Sequence, residues 1–115
     1  MDIHQQSKIS VLLVDYHELV RVGISRLIDE QDDVYVVAQA GSGDDALEVL
    51  GNTEIPTPGA ILMDARMPGL GGIEATKLIL ESFPDCKLVA MSTVATGVIP
   101  SQIFRAGARG FITKS

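Results

Sequence analysis

Short aliphatic runs alternate with stretches of helical periodicity along the whole of this chain, and that alternation limits the fold more than any other feature. Ile9–Val14 and residues 34–39, 60–63, 87–91 and 111–113 are apolar runs of strand length, several of them rich in β-branched residues. Between them, Glu18–Asp29 carries Leu19, Val20, Gly23, Ile24, Leu27 and Ile28 on one helical face. Ser42-Gly43-Asp44-Asp45 opens a short helix with Ala46, Leu47, Val49 and Leu50 as its inner stripe, and residues 51–58 form a loop marked by Asn52, Pro56 and Pro58. Gly72–Ser82 offers Ile73, Thr76, Leu78 and Ile79 to a core, with Phe83 behind them, and Pro84 and Asp85 stop it. A last short helix is expected over residues 101–106, beginning near Ile99 or Pro100.

Strands that alternate with helices in this way build a parallel sheet covered on both faces. Right-handed crossovers leave few topologies, and the expected fold is a doubly wound five-stranded α/β sheet in the flavodoxin-like order 2-1-3-4-5. Residues 1–8 read as a disordered leader and 9–115 as one domain. No helical segment follows the fifth run, so the final helix is expected to be lacking, and with it any effector domain. A strip of sheet and of the first helix should then face water, which favours self-association or lowers stability.

The polar residues that end the runs matter most for chemistry. Asp15 closes the first run, Asp64 the third and Lys114 the fifth, while Ser92 ends the fourth. Parallel strands carry their functional groups at the carboxyl ends, and this order places strands one and three side by side at the switch point. Two acids and a lysine from distant parts of the chain, gathered at one edge, point to a site for a divalent cation and a phosphoryl group.

Composition narrows the alternatives. The chain has 115 residues, is 46% apolar and carries a net charge of −6. That charge argues against direct contact with nucleic acid, whose phosphates require a basic surface. The single cysteine, Cys86, excludes a disulfide within the chain and reads as a partly buried structural thiol. With no secretory leader and no apolar run of membrane length, a cytoplasmic protein without membrane contact is expected. His4 in the polar leader and His17 at a helix start read as surface residues without ligand company.

At this point the chain resembles the receiver domains of two-component response regulators. Val11-Leu12-Leu13-Val14-Asp15, His17-Glu18-Leu19-Val20-Arg21, Leu62-Met63-Asp64, Met67-Pro68-Gly69, Gly71-Gly72-Ile73-Glu74-Ala75-Thr76 and Ala106-Gly107-Ala108-Arg109-Gly110-Phe111 with Lys114 carry the resemblance. They are similar to the GacA/UvrY branch of the helix-turn-helix (NarL/FixJ-type) regulators. The resemblance implies a signalling switch, not an enzyme. Asp64 would accept a phosphoryl group from the phosphohistidine of a sensor histidine kinase or phosphotransfer protein. Mg²⁺ would be held by Asp15, Asp64 and the backbone carbonyl of Arg66. Lys114 would contact the phosphoryl oxygens, Ser92 would follow the phosphoryl group, and Phe111 would act as the coupled aromatic switch. Such regulators act by dimerisation and through a DNA-binding transcriptional effector that this chain does not contain.

One position departs from the family. Receivers normally carry two adjacent acids after the first strand, and here the pair is Asp15-Tyr16. The second acid is the one that usually touches the metal, whereas a phenol is neutral at neutral pH. Weak or absent Mg²⁺ binding is therefore expected, with the tyrosine ring either filling part of the site or turned to solvent. Arg66 either offers its guanidinium in place of the missing charge balance or lies solvated at the rim. Two other functions stay open on the residues alone. One is a pseudo-receiver, an interaction module whose switch is disabled. The other is a flavodoxin-like cofactor binder or small phosphatase, although neither a glycine-rich phosphate loop nor a Walker sequence follows the first strand.

Overall fold

The computed structural model describes residues 8–67, 71–92 and 98–113. They form, in order, β1 (Ile9–Val14), α1 (Glu18–Asp29), β2 (Val34–Ala40), α2 (Gly43–Gly51), β3 (Ala60–Asp64), α3 (Gly72–Ser82), β4 (Lys87–Ser92), α4 (Val98–Arg105) and β5 (Gly110–Thr113). All strand pairs are parallel and the sheet order is β2-β1-β3-β4-β5, as the alternation requires. The leader up to Ser7 and Lys114 lie outside the described residues.

Side chains alternate across a strand, so each strand feeds both faces of the sheet. Leu12, Val14, Ile61, Met63, Leu88 and Ala90 point to one face and are completely buried there with Ala46 and Leu50 of α2, Ala75 and Ile79 of α3, and Ile103 of α4. Val11, Leu13 and Met91, one residue out of phase, are buried on the opposite face. Helix α2 starts where Ser42 supplies a cap: its hydroxyl accepts from the Asp45 N–H at 3.1 Å.

Most element ends fall where the periodicity puts them, with instructive exceptions. Strands β2, β3 and β4 each run one residue further than expected, so Asp64 and Ser92 are the last strand residues rather than the first loop residues. Helix α4 begins at Val98, ahead of Pro100. Proline is tolerated there because first-turn N–H groups have no helical partner to lose.

Helix α1 leaves much of its apolar face exposed, in line with the expectation that a strip of this helix faces water. Ile24 and Ile28 are half-buried, but Leu19 is 89% and Leu27 62% exposed, and the buried residue of the helix is Ser25. The helix leans on the edge strand β2 through polar contacts. Gln39 Nε2 donates to Ser25 Oγ at 3.2 Å, and the Val36 N–H donates to Asp29 Oδ1 at 2.9 Å. With Ile112 of β5 also about half exposed, an apolar strip of helix and sheet does face water.

The turn into β5 is built on Gly107. Its φ of +117° suits glycine alone. The Gly107 N–H reaches the Phe104 carbonyl at 3.0 Å and the Ala108 N–H reaches that of Ile103 at 3.1 Å, the paired bonds of a Schellman ending. This closure aims the chain along β4 and sets Phe111 opposite Ala90.

Cys86 is buried beside β4, where its thiol donates to the Pro58 carbonyl at 3.4 Å. Burial, and then the neighbouring Asp85 carboxylate, push the thiol above its ordinary titration range. Because the thiolate is the reactive form, alkylation by iodoacetamide at about pH 8 is expected to run at least about 10-fold slower in the native protein than in urea. Equal rates in the two conditions would contradict the buried placement.

Candidate functional site

The carboxyl ends of β1, β3 and β4 meet at one edge. Strand β1 pairs with β3 up to Val14 opposite Met63, so Asp15 and Asp64 are the next residues on adjacent strands. On the other side Asp64 lies opposite Met91, one residue before Ser92, and Ser92 lies opposite Thr113 of β5. Asp15, Asp64 and Ser92 are 0%, 2% and 1% exposed, and they are three of the five buried polar residues among those described.

The two aspartates are held in the same way. Asp15 Oδ1 accepts the His17 N–H at 2.9 Å, and Asp64 Oδ1 accepts the Arg66 N–H at 3.0 Å. Each carboxylate thus folds over the turn that follows its own strand, a local aspartate turn that orients the side chain before any ligand arrives. The strand-end amides complete the frame, with Asp15 N donating to Ala40 O at 3.0 Å and Ala65 N to Met91 O at 2.8 Å.

Two residues that the sequence reading left aside belong to this frame. Arg21, one turn into α1, donates from Nη1 to the Asp15 carbonyl at 2.7 Å and from Nε to Gln39 Oε1 at 3.2 Å. It ties the end of β1 to helix α1 and strand β2. A charged hydrogen bond of this kind contributes about 1.5–3 kcal/mol. Arg21→Ala is therefore expected to lower the unfolding free energy by roughly 2 kcal/mol, and a urea titration with an unchanged midpoint would contradict that role.

The second is His17. It is the N-cap residue of α1, and its side chain is 64% exposed. The reading of His17 as a residue without ligand company is corrected here. Its Nδ1 lies 3.7 Å from Asp15 Oδ1, and one donor atom each from Asp15, His17 and Asp64 lie within 4.8 Å of one another. The signal was present in the spacing: two residues after a strand-end aspartate, a turn brings the side chain back over the carboxylate.

Tyr16 is 54% exposed, so the ring turns to solvent and does not fill the space between the carboxylates. It meets His17 edge to face, with ring centroids 5.5 Å apart and an interplanar angle of 78°. Arg66 is exposed at the rim, Phe111 is half-buried against the core, and Lys114 lies outside the described residues. The structure therefore brings Asp15, Asp64 and Ser92 together, adds His17, and leaves Tyr16 outside.

Two buried carboxylates at the switch point of a sheet of this order form an acidic cluster that could hold a divalent cation, since clustered oxygen donors are what hard divalent ions require. Comparison with known proteins decides the family. The response regulator receiver domain model matches residues 11–115. The chain belongs to that family. Among curated relatives, this receiver is 43% identical to the response regulator GacA of Pseudomonas viridiflava and 39% identical to the response regulator UvrY of Escherichia coli strain K12, each over 92% of this chain. The receiver spans 48% and 47% of those two proteins, about half their length. Among solved structures, a LuxR-family two-component response regulator from Aurantimonas sp. SI85-9A1 superposes with a TM-score of 0.87 at 35% identity, covering 95% of this chain and 76% of that one. The receiver domain of NarL from Mycobacterium tuberculosis superposes with a TM-score of 0.84 at 29% identity, covering 95% of this chain and 86% of that one. The match favours the receiver reading over a flavodoxin-like cofactor binder or a phosphatase. Among the described residues, no helix of this receiver is long and apolar enough to cross a membrane.

Proposed function

We propose that this receiver accepts a phosphoryl group on Asp64 and uses it to switch an attached transcriptional effector. The observation that supports the reading best is the pairing of Asp64 with Asp15, both buried, at the carboxyl ends of adjacent central strands. The donor is a phosphohistidine on a sensor histidine kinase or phosphotransfer protein. A carboxylate oxygen of Asp64 attacks phosphorus in line. The P–O bond forms as the P–N bond breaks, and the leaving imidazole nitrogen keeps the electron pair and takes up a proton. There is little covalent work for the protein beyond this, so its contribution is positioning and charge. The aspartate turn through the Arg66 N–H orients the nucleophile, and burial excludes competing water.

The donor set fits a divalent cation: Asp15 and Asp64 supply carboxylate oxygens, and the Arg66 carbonyl is the third group that the resemblance assigns. Mg²⁺ bound there would supply charge neutralisation for the phosphoryl oxygens. Lys114 contributes a further positive charge. Ser92, buried one residue beyond the β4 partner of Asp64, moves toward the phosphoryl group. Phe111, half-buried on the neighbouring strand, follows that movement and carries it to the α4 and β5 face, where dimerisation or release of an effector is read out. Regulators of this architecture work in the cytoplasm, and DNA contact would come only through the effector.

Incubation with acetyl phosphate, with and without Mg²⁺, followed by intact mass measurement tests this reading. One added phosphoryl group is expected, dependent on Mg²⁺ and absent from Asp64→Ala. An adduct that persists in Asp64→Ala, or none under any condition, would overturn it, and the second result would favour a metal-independent interaction module.

A further inference from the structure

We infer that His17 is a metal ligand, and that it shifts the strand-end site from magnesium toward transition-type divalent ions such as Zn²⁺. The inference rests on the reading of this edge as a cation site and stands apart from phosphoryl acceptance. Two observations carry it. Donor atoms of Asp15, His17 and Asp64 lie within 4.8 Å of one another. Ligands that face each other across a small divalent ion sit about 4 Å apart, so the three are close to a chelating arrangement. The side chain that would have to close the gap is the exposed imidazole, which can turn, while the two aspartates are buried and held by their turns.

The chemistry at position 16 gives the arrangement its meaning. The resemblance places an acidic metal ligand there, and this chain has Tyr16, whose ring is turned to solvent. The site thus lacks one anionic oxygen and has an imidazole nitrogen beside it. Magnesium is a hard ion that prefers oxygen and gains little from a neutral nitrogen donor, whereas imidazole suits zinc, nickel and related ions. A set of two carboxylates and one imidazole, completed by water, is a donor combination that zinc accepts.

Calorimetric titration of the chain with ZnCl₂ and with MgCl₂ in phosphate-free buffer tests the assignment, alongside His17→Ala, Asp15→Asn and His4→Ala. His17 is exposed, so its replacement leaves the core intact, and circular dichroism verifies this. The expected result is that His17→Ala weakens Zn²⁺ binding by at least about 10-fold and leaves Mg²⁺ binding within about twofold. Asp15→Asn weakens both ions, and His4→Ala weakens neither. ¹H–¹³C spectra should show the His17 ring resonances, not those of His4, moving with Zn²⁺. Equal losses for both ions in His17→Ala, no loss for either, or a Zn²⁺ site that disappears with His4→Ala would overturn the assignment. Failure here leaves the acetyl phosphate result untouched. Conversely, Zn²⁺ binding through His17 in a protein that takes no phosphoryl group would uphold the ligand assignment and remove the phosphoacceptor reading.

Discussion

Gly72→Ala is expected to destabilise the protein by about 3 kcal/mol, at the upper end of the range for overpacking. A methyl group at Gly72 would sit 2.6 Å from both the Cα and the carbonyl oxygen of Ala65, and 2.8 Å from its carbonyl carbon. These are backbone atoms of the residue directly after Asp64, held in place by the bond from Ala65 N to Met91 O. The clash cannot be relieved by turning a side chain. Either α3 lifts away from the sheet edge or the β3 terminus moves, and both disturb Asp64. A domain of this size should lose roughly 10–20 °C in Tm. The same substitution at Gly23 is the control. A methyl group there meets nothing within 4 Å. In the middle of α1 it should stabilise by up to about 1 kcal/mol through helix propensity. Opposite signs for the two variants are the expected result, read from thermal or urea unfolding. A neutral Gly72→Ala would mean that α3 does not rest on Ala65 as described.

Tyr16→Asp is expected to tighten Mg²⁺ binding by about 10–100-fold or more, on the scale by which groups around metal sites alter affinity. The position follows Asp15 directly, and the present side chain contributes no charge to the edge and points outward. Aspartate restores the anionic oxygen that the family carries there and removes the aromatic neighbour of His17. The discrimination between zinc and magnesium should narrow at the same time, and acetyl phosphate labelling should accelerate. A Mg²⁺ titration followed through the Asp15 and Asp64 amide resonances measures the first effect. An unchanged affinity would mean that position 16 does not reach the ion.

The sheet was legible because its signal is local. Each strand is a short aliphatic run, and the bounds of α1 and α3 follow from apolar spacing and from Pro84 at the end of α3. Asp15, Asp64 and Ser92 were legible because topology alone carries strand ends to one edge. What the sequence did not disclose depends on contacts between distant or differently oriented groups. The bond of Arg21 to the Asp15 carbonyl exists only once α1 has docked on β2, and periodicity does not report a polar side chain that folds back on a strand end. Gly72 was read as the start of a helix, but its close approach to the Ala65 backbone across the sheet edge is not a feature that periodicity reports. The apolar spacing of α1 marked one helical face, but it does not report the burial of Ser25, which depends on Gln39 of β2. His17 was set aside as a surface residue, which is true of its exposure and misses its neighbours.

The most direct test of the central claim is to find where a phosphoryl group goes. Protein treated with acetyl phosphate and Mg²⁺ is reduced with borohydride, which converts an aspartyl phosphate to homoserine, then digested and sequenced by mass spectrometry. Homoserine at position 64, with Asp15 unmodified, is the predicted result. Homoserine at Asp15 or at another carboxylate, with position 64 intact, would contradict the account of this edge.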